Sequence, residues 1–303
     1  MFKGHLLKEV LEILDLNDFR SVVFRGCFDI LTKKDDTLLI KVLGNIDSFS
    51  EEHANNLKII SNFLDAKSFA VSVRSNRNTL SDNVIYSRFG LPIMSLGSFN
   101  NIISNEWLPS IFAVRGKHVV RVDPDLIKKS RESMDLSLDE LSEKVGISKK
   151  SLYEIENQRV DPSKETLDKL EGFFGIEFSR GCEIKVPNSF HRVEPKSDFQ
   201  KRVYSKFSEI RMECSCLSSS PFEVVGRRKE VFLTSLSENE KEVNIKSRVL
   251  NNMSPLTDGV SVLISKGSGC QSVEGVPIIH DSEIDEIGNY KDFSCLVKER
   301  RFG

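Results

Sequence analysis

The sequence has no apolar run long enough to cross a bilayer: its longest, such as 68–73 and 111–114, fall far short of the ~18 residues required. It also lacks a signal-peptide pattern, because Lys3, Lys8, Glu9 and Glu12 interrupt the first leucines. A cytoplasmic protein without membrane contact is therefore expected. Six cysteines in 303 residues are too sparse and too irregularly spaced for a disulfide framework. Reduced, mostly buried thiols are expected instead. Only Cys214 and Cys216 stand close together, and with His191 as the nearest histidine they do not make a zinc pattern. With 17 Gly and 9 Pro the chain is neither collagen-like nor of low complexity. Charge of either sign is not in excess, since 43 Lys and Arg face 45 Asp and Glu and leave a net −2. Bulk attraction to a polyanion is thus excluded, and any nucleic-acid contact must come from a local face. Gly-rich phosphate loops, Gly-x-Ser-x-Gly elbows and His-Glu-x-x-His helices are absent too. No catalytic residue, metal or cofactor is expected.

The length predicts about two domains or more, and the pattern along the chain falls into three parts. Leu7, Val10, Leu11 and Leu14 recur at helical spacing, and β-like runs follow at 21–31 and 37–43 around a polar turn at 32–36. A helix over 50–64 capped by Ser50, a strand at 69–73, and short runs at 83–86 and 90–94 complete an α/β pattern. The order returns near the other end. A helix capped by Ser197 carries Phe199, Val203, Phe207 and Ile210 on one stripe, 222–225 answers 28–31, and 232–235 answers 39–42. Further on, 260–264 answers 69–73, and Gly275-Val276-Pro277-Ile278 answers Gly90-Leu91-Pro92-Ile93. Two α/β domains of common architecture, 1–108 and 181–303, are expected to flank a central segment, 109–180, with linkers near 105–110 and 180–195.

The central segment opens with a hairpin pattern around Arg115-Gly116-Lys117 and then becomes all-helical from Pro124. Ser137 and Glu140 form a capping box, Leu141 and Val145 turn inward at a spacing of four, and Gly146 lets the chain turn. Ile147 plugs the angle between two helices and Ser148 caps the second. Ser142, small, suits the helix crossing. With Leu136, Leu152, Ile155, Glu156, Pro162 and Leu167 in register, residues 125–178 resemble the Cro/C1-type helix-turn-helix domain of phage repressors and their cellular relatives.

The resemblance implies that the helix over 149–156 enters the major groove of double-stranded DNA. Ser148, Lys149, Lys150, Ser151, Tyr153, Glu154, Asn157 and Arg159 become the candidate DNA-binding residues: Lys149 and Lys150 for guanine edges or phosphate, Glu154 for cytosine N4, Ser151 and Asn157 for the backbone. Glu156 is read as a structural tie between helices. Leu138 stands where the family usually places Gln, and Asp139 and Glu154 bring negative charge to the same side, so modest affinity is expected. A single short helix reads few base pairs, and a homodimer on a two-fold site follows.

The whole arrangement, with Asp82, Tyr86, Arg88 and Gly90 leading into Leu91-Pro92-Ile93, resembles a group of archaeal Cro/C1-type transcriptional regulators. The first half also looks like the restriction-endonuclease core, in which carboxylates on two hairpin strands hold magnesium beside a lysine. Asp29 and Lys41 stand at such places, but the second carboxylate would be Leu39, and in the second copy Glu223 is answered by Phe232-Leu233-Thr234, with neither carboxylate nor lysine. Asp29 reads as a partly exposed hairpin residue in a degenerate core. The expectation is a non-enzymatic, sequence-specific DNA-binding regulator, with a structure-selective nuclease or a protein-binding scaffold as alternatives. The basic cluster Lys201, Arg202, Lys206 and Arg211 reads as a solvated helix face. The sequence names no effector.

Overall fold

The computed structural model describes residues 3–104, 110–114, 117–181, 184, 186–187, 190–267 and 269–302. The expected hairpin turn at Arg115-Gly116, the linker stretch 105–109 and Cys182 lie outside the described residues. The first segment holds α1 (Lys3–Leu16), β1 (Arg20–Val23), β2 (Ile30–Lys33), β3 (Thr37–Asn45), α2 (Glu51–Leu64) and β4 (Lys67–Arg74). Next come β5 (Val84–Arg88), β6 (Leu91–Met94), α3 (Leu96–Ile103), β7 (Ile111–Val114), β8 (Lys117–Val120), α4 (Pro124–Ser133), α5 (Leu138–Val145), α6 (Lys149–Glu156) and α7 (Lys164–Phe174). The last segment holds α8 (Asp198–Glu209), β9 (Glu213–Cys216), β10 (Val224–Arg227), β11 (Val231–Ser237), α9 (Glu240–Met253), β12 (Val260–Ser265), β13 (Ser272–Val273), β14 (Val276–His280), α10 (Asp281–Glu286) and α11 (Tyr290–Phe302). Two compact units result, one from 1–70 with 185–303 and the other from 71–184.

In the first unit, α1, β1, β2, β3 and α2 of one segment repeat in order as α8, β9, β10, β11 and α9 of the other. The hydrogen-bond frames agree as well. Asp29 N donates to Ile40 O and Val42 N to Asp29 Oδ2, just as Glu223 N donates to Thr234 O and Leu236 N to the Glu223 carboxylate. This frame sets Ser235 opposite the place of Lys41, so the expected correspondence of 232–235 with 39–42 is one residue out: Phe232 answers Leu38. A second correction concerns the run 21–31, expected as one strand. It is two, because the chain bends at 24–29 and pairs back on itself, Val22 opposite Leu31. Gly26 sits at that bend, and a Cβ on it would collide with the Ser219 carbonyl oxygen. The two segments are tied at this place. Cys27 N donates to Ser219 O at 2.6 Å, and the buried Asn56 amide donates to Ser218 O at 2.6 Å and Ser218 Oγ at 2.8 Å. α2 packs on β10, and the turn after α9 packs on β2. The α8 stripe predicted from the sequence, Phe199, Val203, Phe207 and Ile210, is buried in one cluster with β10–β12 and α11.

In the second unit β6, β5, β7 and β8 lie side by side, and β8 joins the helical core: Val120 and Val122 pack with Ile127, Leu141, Leu152, Ile155, Leu170 and Phe178. The reason these short helices form is local. Asp123, Ser137, Ser148 and Ser163 each accept a backbone N–H at a helix start, and Gly146 (φ 65°) closes α5 in the left-handed conformation. Thiol burial is lower than expected, with Cys27 and Cys216 buried, Cys214 half-buried, and Cys270 and Cys295 exposed.

Candidate nucleic-acid interface

The helix pair α5–α6 is built by its caps. Ser137 Oγ receives Glu140 N at 3.2 Å, while Ser137 N at 2.8 Å and Ser137 Oγ at 2.7 Å donate to the Glu140 carboxylate and hold its carboxyl below the usual carboxylate range. Ser148 Oγ receives Ser151 N at 3.1 Å and starts α6 at Lys149. Leu152 and Ile155 face inward, which leaves Lys149, Lys150, Ser151 and Tyr153 on the outside. Glu154 is half-buried and Asn157 exposed, its amide donating to Tyr153 O at 2.7 Å.

Glu156 does not face outward. It is buried and receives Arg131 Nε at 2.8 Å and Nη2 at 2.9 Å, while Arg131 Nη1 reaches Leu136 O at 2.7 Å. The guanidinium thus joins α4, the start of α5 and the end of α6, and its pKa is raised, chiefly by the bond to Glu156. The sequence marks Glu156 as structural but gives no sign of Arg131, whose partner lies 25 residues on. Such a pair is a property of tertiary packing and leaves no periodic trace.

The candidate cations are not equivalent. Lys149 Nζ is 2.6 Å from Asp139 Oδ2, in the first turn of α5. Arg159 lies over the Tyr153 ring, 5.3 Å from its centroid, and 3.4 Å from Glu154. Lys150 makes no ion pair among the described residues. All these charges are at the surface, where exposed pairs contribute about 0.2–1 kcal/mol and exchange readily for a phosphate or base edge.

The nuclease-like positions in the first unit tell another story. Asp29 is not partly exposed but buried, and both oxygens are engaged: Oδ1 by Lys3 Nζ at 2.8 Å, Oδ2 by Val42 N at 2.8 Å and by Lys41 Nζ at 3.3 Å. Lys41 also donates to Gly26 O. Burial lowers the Lys41 pKa, with Asp29 opposing, and burial pushes the neighbouring Cys27 thiol up to about 12. Leu39 is buried and its side chain has no atom that could ligate a cation. In the other half Glu223 does have a lysine, supplied by a helix and not by a strand: Lys246 Nζ lies 2.6 Å from it and also donates to Leu236 O. Each carboxylate is spent on a lysine and a backbone N–H. Of the basic cluster on α8, Arg202 pairs with Asp281 and Asp285, and Lys206 bonds the carbonyls of Asp285 and Ile287.

Comparison with known proteins separates the two regions. Residues 127–180 match the helix-turn-helix family and residues 3–109 match the PD-(D/E)XK superfamily domain. Proteins carrying the provisional name HTH-type transcriptional regulatory protein are similar along almost the full length. That of Methanocaldococcus jannaschii is 27% identical over 93% of this chain and 92% of its own. The one from Pyrococcus horikoshii is 29% identical over 100% and 99%, and the one from Methanothermobacter thermautotrophicus 28% over 99% and 97%. Among solved structures, a type III CRISPR defence DNA nuclease activated by cyclic oligoadenylate aligns with 90% of this chain and 51% of that chain at 10% identity. Its TM-score of 0.24 is too low to carry an argument. The chain carries a Cro/C1-type helix-turn-helix domain at its centre and is similar over nearly its whole length to archaeal HTH-type transcriptional regulators.

Proposed function

We propose that the protein is a sequence-specific DNA-binding transcriptional regulator, acting as a cytoplasmic homodimer through α6. The observation that carries this reading is the exposed first turn of α6, capped by Ser148 and braced from behind by the buried Arg131–Glu156 pair. A recognition helix enters the major groove by that turn. Lys149 and Lys150 read a guanine edge or grip phosphate; Tyr153 and Glu154 lie one turn further along; Ser148, Ser151, Asn157 and Arg159 serve the backbone. The central part, 109–180, then works between two α/β parts, 1–108 and 181–303, which we take to be related copies of one core. Their matching hydrogen-bond frames support the relation.

Selecting genomic fragments that the full chain retains, then titrating Lys149→Ala and Lys150→Ala on a selected and a scrambled site, tests the reading. A base contact costs roughly 1–3 kcal/mol on the selected site, whereas a phosphate contact weakens both sites and lowers the salt slope by about one. Lys201→Ala serves as a control. Equal binding by all variants would move the reader elsewhere. The nuclease alternative has less support, because the Asp29 oxygens are held by Lys3, Lys41 and Val42 N.

A further inference from the structure

The chain that leaves α6 turns back over it. Gln158 N donates to Ile155 O at 3.1 Å and Arg159 N to Glu154 O at 2.9 Å, a closure in which the residue between helix and loop is left-handed. Gln158 takes that place with φ 58°, a conformation that favours glycine, and the two bonds hold it there. Where such a closure commonly carries an apolar contact, Arg159 stands instead. Its guanidinium lies over the Tyr153 ring, 5.3 Å from the centroid, with Nη1 3.4 Å from Glu154 Oε1. Glu154 Oε2 has no partner among the described residues.

Leu152, Ile155 and Glu156 mark the buried face of α6. The opposite face, at spacings of four and then three, carries Lys150, Glu154 and Asn157. A carboxylate thus stands in the middle of the face offered to DNA, one turn beyond Lys150. Bare, it would be repelled by the phosphates that line the groove. With Arg159 at Oε1 the two charges cancel, and Oε2 keeps its capacity to accept a hydrogen bond.

We infer that Arg159 is a positioning residue through which Glu154 selects cytosine at one position of the bound site. A carboxylate can only accept, so the major-groove acceptors of guanine and thymine refuse it, whereas the amino groups of cytosine and adenine donate to it. Adenine sets its N7 acceptor next to the amino group and cytosine does not, which makes cytosine the base selected. The backbone closure and the Tyr153 face keep the guanidinium fork in place, and the fork occupies one oxygen, so a single oxygen is presented to the base. One N–H group of Arg159 is used in this way, and the others stay available to the DNA backbone. The inference rests on the reading of α6 as the recognition helix and assigns a base to one of its residues.

Relative affinities of the full chain for a selected site and for its single-base-pair substitutions, read by competition in fluorescence anisotropy, test it. The parent is expected to prefer cytosine at one position by about 5- to 150-fold, the range of a single mismatch. Glu154→Gln, which pairs with adenine N6 and N7, should abolish that preference or move it to adenine while every other position stays as in the parent. Arg159→Ala should weaken binding to all sequences and flatten preference at this same position. A merely structural Arg159 would give uniform loss with the preference retained, and that result would overturn its positioning role. Cytosine preference that survives Glu154→Gln, or a parent with no such preference, would overturn the inference as a whole. In either case α6 remains the reader if Lys149→Ala or Lys150→Ala weakens binding; if those variants also bind like the parent, the reading of α6 has itself failed.

Discussion

If α6 reads DNA as proposed, the Asp139 carboxylate competes with it for Lys149. The pair spans 2.6 Å with both side chains more than half exposed, 57% and 66%, so it belongs to the class that contributes about 0.2–1 kcal/mol. In the unbound protein that energy must be surrendered before Lys149 can turn to a phosphate or guanine, and the carboxylate left behind repels the same phosphates. Asp139→Asn keeps the shape, releases the lysine and removes the charge. Affinity should then rise by about 1.4- to 5-fold from the released pair alone, at low salt, and the gain should shrink as the Debye length falls below ~10 Å. Fluorescence anisotropy on a selected fragment, at three or four salt concentrations, reads both quantities. Asp139 lies one residue after the α5 start, where a carboxylate favours the helix dipole, so circular dichroism must show α5 retained. Binding weakened by Asp139→Asn, with the fold intact, would refute the argument: the carboxylate would then be positioning Lys149 and not restraining it.

Other expectations follow from the same geometry. Supercoiled, linear and branched DNA should remain uncut with magnesium or manganese, and cleavage lost in both Asp29→Ala and Lys41→Ala would restore the nuclease reading. Glu156→Ala leaves the Arg131 guanidinium nearly buried without its carboxylate and should destabilise the helical core by about 3–5 kcal/mol, measured as faster hydrogen exchange in α6. Glu283 is held below the usual carboxylate range by Arg300, with a backbone bond from His280 assisting. Its contribution is therefore complete above the unfolded value of ~4.3 and lost as pH falls through the lower folded value. Glu283→Gln should melt lower than the parent at pH 7, and the gap should narrow as pH falls below ~4.3.

Local chemistry was legible in the sequence because it is written in neighbours. The caps Ser50, Ser137, Ser148 and Ser197, the left-handed Gly146 and the stripe Phe199, Val203, Phe207 and Ile210 all stand as expected. Reading failed where partners are distant or come from another element type. Asp29 looked exposed because its lysine from α1 and the backbone N–H of Val42 cannot be seen from a hairpin pattern. The lysine of Glu223 leaves no mark in the strand pattern because α9, and not the neighbouring strand, delivers Lys246. The split of 21–31 into β1 and β2 went unseen since both strands are equally apolar, and only the approach of Ser219 to Gly26 marks the bend. Lys149–Asp139 needed the angle between α5 and α6, which no residue spacing encodes.

The bonds between Asn56 and Ser218 join residues 162 positions apart, with the whole 71–184 unit emerging between them. During synthesis the helix-turn-helix segment is finished while half of the α/β core does not yet exist. At ~5–20 residues per second the remaining stretch, 185–303, takes on the order of 6–24 s to appear, and through that interval the α2 face destined for β10 has no cover. The helix-turn-helix is thus delivered folded on a nascent chain whose scaffold is unfinished, and the window for aggregation is set by translation speed and not by the stability of either unit.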